Sequence, residues 1–129
     1  MNETILIVDD DKNIRKGLSI RLRSQGYNTL HAIDQGTAMK MVKKHKPDLI
    51  LLDIGLPDGN GLGVLEYLRG HPTLGATPVV VVTAMDLRYF QDELSLLQPD
   101  ACFVKPVSNH DLLNMISKLL TDGGTQKAA

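Results

Sequence analysis

The sequence has a single cysteine, Cys102, which excludes an internal disulfide and any multi-cysteine zinc site. Neither sign of charge dominates. Fourteen Lys and Arg face fifteen Asp and Glu, a net charge of −1, so there is no basic excess to hold a phosphate backbone. Direct nucleic-acid binding is therefore disfavoured. The apolar runs Ile5–Val8, Leu49–Leu52 and Val79–Val82 fall far short of the ~20 residues that span a bilayer. No charged-then-apolar leader opens the chain, so a cytoplasmic protein with no membrane partner is expected. His31, His45, His71 and His110 are widely spaced and match no HExxH pattern, which leaves them surface or packing roles. There is no P-loop, internal repeat or low-complexity segment.

What the sequence does contain fits one domain. Its 129 residues suit a single core, expected over 1–122, with 123–129 small and polar enough to read as a tail or a cut linker. The three apolar runs lack the alternation of a half-wet strand and read as strands buried on both faces, which favours a parallel sheet. Asn28–Ala32 and Cys102–Val104 are weaker strand candidates. Helical spacing appears between them: Ile14, Leu18 and Leu22; Ala38, Met41, Val42 and His45; Leu62, Leu65 and Leu68; Leu87, Phe90, Leu94 and Leu97. A fifth helix opens at Ser108-Asn109-His110-Asp111, a capping-box spacing, and carries Leu112, Ile116, Leu119 and Leu120. Five strand–helix alternations imply a doubly wound α/β fold, a five-stranded parallel sheet with five helices on its two faces.

In such folds chemistry collects beyond the carboxyl ends of the strands. Strand one runs into Asp9-Asp10-Asp11, strand three into Asp53, strand four into Thr83 and strand five into Lys105. Asp11 is best read as a helix N-cap. Asp9, Asp10 and Asp53 brought together would repel unless a cation neutralised them, and an all-oxygen set suits Mg²⁺, with Mn²⁺ as a substitute. A phosphoryl group could then bridge the metal, Thr83 and Lys105, with the Asp53 carboxylate as nucleophile.

The stretches LIVDDD, LLDIGLPDGNGL, VVVVTA and FVKPV resemble the marker segments of bacterial two-component receiver domains over residues 4–120. The resemblance implies a flavodoxin-like strand order, 2-1-3-4-5. It makes Asp53 the phosphoacceptor, Asp10 a direct metal ligand and Asp9 a ligand acting mainly through metal-bound water. The backbone carbonyl of Gly55 would be a further metal ligand, Thr83 the switch hydroxyl and Lys105 the phosphate-binding lysine, followed by a cis Lys105–Pro106 bond. The phosphodonor would be a histidine kinase or a histidine phosphotransfer protein. The output would be a surface between the fourth helix, fifth strand and last helix that contacts a downstream effector, in a monomer or a phosphorylation-dependent dimer.

Two positions depart from the family pattern. Asn60 stands where many receivers have Asp, a loop position either residue serves. Cys102 stands where an inward-rotating aromatic is usual, and is expected to be a buried small hydrophobe, with Phe103 on the opposite face of the sheet. The domain is expected to be a signalling phosphoacceptor and not an enzyme. A phosphohydrolase of the haloacid-dehalogenase type would need a second Asp where Gly55 stands. A dinucleotide-binding turn fails at Val64, which occupies the place of its last glycine. A receiver-like docking module that works without phosphorylation is the remaining alternative, and its usual sign, loss of an acidic or lysine marker, is absent.

Overall fold

The computed structural model describes residues 2–128, with side chains over 2–121. Five parallel strands form one sheet: β1 (Thr4–Val8), β2 (Asn28–Ala32), β3 (Leu49–Leu52), β4 (Val79–Thr83) and β5 (Ala101–Val104). Their spatial order is β2-β1-β3-β4-β5, the expected doubly wound arrangement.

Alternation along each strand splits the core into two layers, because successive side chains point to opposite faces. Leu6, Val8, Ile50, Leu52, Val79 and Val81 join Ala38, Val42, Leu62, Val64, Leu65 and Leu68 on one face. Ile5, Ile7, Leu49, Leu51, Val80 and Val82 join Leu22, Leu112 and Ile116 on the other. Each Val, Leu or Ile among them contributes about 1.5–3 kcal/mol when fully buried. The unbroken apolar runs are thus explained: the central strands are covered on both sides.

The helices are α1 (Lys12–Ser24), α2 (Gln35–His45), α3 (Leu62–Arg69), α4 (Gln91–Leu97) and α5 (Asn109–Ala128). Asp11 caps α1 by accepting from the N–H of Asn13 at 2.8 Å and of Ile14 at 3.2 Å, the role expected of it. Gly26, at φ +91°, supplies the left-handed turn that leads into β2. In α2, Ala38 and Val42 are buried, but His45 is exposed beside Lys43 and Lys44 in the last turn, where cations meet the negative helix end. His45 therefore leaves the expected apolar stripe. The fourth helical pattern divides into a 3₁₀ turn, Leu87–Phe90, and the two-turn α4; Leu87, Phe90, Leu94 and Leu97 all rest on the core without being fully buried. Ser108 caps α5, its Oγ accepting from the Asp111 N–H at 3.4 Å. The expected tail at 123–129 lies outside the residues described in full.

Cys102 corrects the expectation of a buried residue. It is exposed, as is Val104, whereas Ala101 and Phe103 turn toward the α1/α5 layer. The reason is topological: β5 is an edge strand, and that end of its second face is left open. Phe103 does face away from Cys102, as strand alternation requires. Partial burial still pushes the Cys102 thiol up, which keeps it protonated and a weak nucleophile.

One structural residue carried no sequence signal. The Arg69 guanidinium donates to the carbonyls of Leu97, Gly75, Thr77 and Gln98 and pairs with Asp100 Oδ2 at 3.1 Å. Asp100 Oδ2 in turn accepts from the Val79 N–H at 2.8 Å, so one arginine ties α3, the end of α4 and the entry to β4. Arg69→Ala strands several partly buried acceptors and should lower the unfolding free energy by about 2–3 kcal/mol. Urea denaturation monitored by circular dichroism checks this; a change within about 0.5 kcal/mol would show the latch to be dispensable.

Candidate functional site

Register assembles the site. Val8 pairs with Leu52, and the Asp53 N–H donates to Val8 O at 2.9 Å, so Asp9 and Asp53 leave adjacent strands side by side. Across the sheet Thr83 pairs with Val104, and the Lys105 N–H donates to Thr83 O at 2.8 Å. Four strand ends thus deliver Asp9, Asp53, Thr83 and Lys105 to one edge.

The side chains meet there. Lys105 Nζ lies 2.7 Å from Asp9 Oδ2 and 3.1 Å from Asp53 Oδ2, bridging both carboxylates. Asp53 Oδ1 accepts from the Gly55 N–H at 3.0 Å, and Asp9 Oδ1 from the Asp11 N–H at 2.9 Å. Asp9 and Asp53 are buried, at 4% and 7% exposure, while Asp10 is open to solvent. One oxygen each of Asp9, Asp10 and Asp53 lies within 4.8 Å of the others, close enough to share a cation. This all-oxygen donor set, open on the Asp10 side, fits a hard divalent ion that keeps several waters. Gly55 is exposed next to Asp53, as a backbone ligand needs to be.

Burial pushes the Asp9 carboxyl above its ordinary value despite the hydrogen bonds from Lys105 and the Asp11 N–H, and the Asp53 charge adds to the rise. Burial alone would lower Lys105, but the hydrogen bonds and charges of Asp9 and Asp53 together outweigh it and hold the ammonium above its usual range. Lys105 is therefore a permanent cation, and ionising Asp9 carries a burial cost that a bound cation would offset.

Thr83 is wholly buried, and its Oγ1 accepts from the Met85 N–H at 3.2 Å; it is not hydrogen-bonded to Asp53. The Lys105–Pro106 bond is cis. Asn60 Oδ1 accepts from the Leu62 N–H at 2.9 Å at the start of α3, so its departure from Asp leaves the turn capped. A small antiparallel pair, Gly55–Leu56 with Gly59–Asn60, closes the loop after Asp53 and was not foreseen. Asp58 was also missed: its carboxylate accepts from the N–H of Gln35 at 2.9 Å and of Gly36 at 3.1 Å, anchoring that loop to α2. Gly61 must be glycine, since a Cβ there would lie 2.2 Å from the Asp53 carbonyl oxygen.

The family model of the response regulator receiver domain matches residues 5–117, which contain all of these residues. The chain belongs to the response regulator receiver domain family. Among its relatives, the polar-differentiation response regulator DivK of Brucella anthropi is 30% identical over 122 residues, covering 95% of this chain and 99% of DivK. A CheY-like response regulator receiver domain protein from Methanospirillum hungatei superposes with a TM-score of 0.91 at 28% identity, over 98% of this chain and 99% of that one. The signal receiver domain of a histidine kinase from Syntrophus aciditrophicus gives 0.86 at 27% identity, over 93% and 91%. The receiver fold is thus found both in response regulators and in a histidine kinase. Among the described residues of this receiver no helix is long and apolar enough to cross a membrane.

The raised Asp9 carboxyl has a definite sign. A group whose folded-state pKa lies above its unfolded value binds protons more tightly when folded, so its contribution to stability falls as pH rises through that value. Without divalent metal, Asp9→Asn should therefore be more stable than wild type at pH 7, and the difference should shrink as pH falls below the raised Asp9 value. Thermal melts of both proteins across pH 4–8 decide it; a variant less stable than wild type at pH 7 would mean that the Lys105 pairing outweighs the cost of burial.

Proposed function

We propose that this receiver takes a phosphoryl group onto Asp53 from a histidine kinase or histidine phosphotransfer protein, in a Mg²⁺-dependent reaction, and signals through a changed surface. The observation that carries this reading is Lys105 Nζ bridging Asp9 and Asp53, beside a third carboxylate placed to share a cation with both. Mg²⁺, or Mn²⁺ in its place, would be held by Asp10, Asp53 and the Gly55 carbonyl, with Asp9 acting mainly through its water, and would neutralise charge on the transferring oxygens.

The chain's own groups do the rest. Asp53 attacks phosphorus through a carboxylate oxygen while the bond to the donor nitrogen breaks, giving an aspartyl-phosphate. The Gly55 N–H holds Asp53 Oδ1, and Lys105 transfers its Nζ from the carboxylates to a phosphoryl oxygen. Burial of Asp53 limits water and lets the acyl phosphate persist.

The signal leaves through Thr83. Its hydroxyl is engaged with the Met85 N–H and must turn away from it to donate to the phosphoryl group, which loosens residues 84–88 ahead of α4. The surface that feels this includes Tyr89 and Leu96, each 82% exposed, and Cys102 and Val104 on the open edge strand, apolar enough to receive an effector. With no ring at position 102, the α4 side carries most of the change. The reaction is self-catalysed phosphotransfer in a cytoplasmic signalling domain, not turnover of a metabolite.

Incubation with acetyl phosphate and Mg²⁺ should add one phosphoryl group by intact mass. Asp53→Asn or excess chelator should abolish the addition, and Lys105→Ala should slow or abolish it. A stable single modification supports the phosphoacceptor; continuous hydrolysis of the donor at enzymatic rates would indicate a phosphohydrolase. An unreactive wild-type protein would favour a docking module that works without phosphorylation.

A further inference from the structure

Helix α1 carries five basic residues and no acidic one in thirteen positions. Lys12, Arg15, Lys16, Ser19, Ile20 and Arg23 recur at helical spacing on one face and, with His31 of β2, line a groove of about 400 Å³. No carboxylate lines this groove, and none of its four cations forms an ion pair among the described residues. Like charges one turn apart, as at Lys12 and Lys16, weaken a helix, so the stripe is not accounted for by stability.

Two of the cations are held in place. Arg15 Nη1 donates to the Asp9 carbonyl at 2.8 Å. Arg23 Nε donates to Thr29 Oγ1 at 3.3 Å, and Thr29 Oγ1 is fixed in turn by Ser19 Oγ at 2.8 Å, with Ser19 buried. These acceptors are uncharged: they orient the guanidinium groups without neutralising them and leave further N–H donors free. His31 feels both arginines. Partial burial first, then the charges of Arg15 and Arg23, hold its imidazole below the ordinary range, a sign of positive potential inside the groove.

We propose that this groove binds a small ligand carrying two or more phosphates. Oriented guanidinium donors match phosphate oxygens in pairs, and the volume suits a small molecule. An acidic peptide could place only one or two carboxylates in that space, leaving most of the charge unmatched. The groove shares no lining residue with the carboxylate site, so the proposal stands whether or not Asp53 accepts phosphate.

The test titrates the full chain with tripolyphosphate in metal-free, low-salt buffer, by calorimetry and by NMR of the His31 ring. Saturable one-site binding is expected, with the His31 pKa moving upward as the anion offsets the two arginines. Lys16→Ala combined with Arg23→Ala should weaken binding by about tenfold or more, whereas Lys43→Ala with Lys44→Ala on α2 should bind as wild type; all four residues are exposed, so both proteins should fold. Binding without saturation, equal loss in the two double variants, or no His31 shift would overturn the site. Tighter binding of an octaglutamate peptide than of tripolyphosphate, with the same His31 shift, would overturn the ligand class.

Discussion

Three carboxylates share the carboxyl edge of a parallel sheet, and the rest of this molecule is arranged around that repulsion. Two of them, Asp9 and Asp53, are buried and reach each other because β1 and β3 are neighbours in register. A fold that places such groups together must supply positive charge or hold one of them protonated. Here Lys105 supplies part of it, bonding to one oxygen of each buried acid, while burial still raises Asp9. The charge balance is incomplete, which suits the three carboxylates to the cation proposed for them.

The scaffold keeps the site from relaxing. The buried faces of β1, β3 and β4 fix the strand ends, and Gly61 lets α3 approach the Asp53 backbone more closely than any side chain would allow. Asp58 pins the loop after Asp53 to α2. The Thr83 side chain is held more lightly: its only hydrogen bond among the described residues is the one Oγ1 accepts from the Met85 N–H two residues on, so turning the hydroxyl breaks no strand ladder. Pinned acids beside a lightly held hydroxyl suit the switch proposed for this site.

Much of this was legible in the sequence because it is local or periodic. Unbroken runs such as Leu49–Leu52 announce strands covered on both faces, and the residue after each run marks the site edge. What escaped is long-range. Asp58 caps a helix 23 positions away, and Arg69 gathers carbonyls from segments that no spacing rule connects. Cys102 was misjudged because free cysteines usually pack inside, and strand alternation does not say which face of an edge strand stays open. His45 fits the α2 periodicity, but the helix ends there, beyond the layer that would have covered it.

On the proposed function, Asp9, Asp10 and Asp53 act as one divalent-cation site balanced by Lys105. Titration of the amide NMR spectrum with Mg²⁺ tests it most directly. The largest shifts should fall at residues 9–11, 53–55 and 105, follow a single isotherm and vanish in Asp10→Asn. Shifts centred instead on the exposed acids of α4, Asp92 and Glu93, or an unchanged titration in Asp10→Asn, would contradict it.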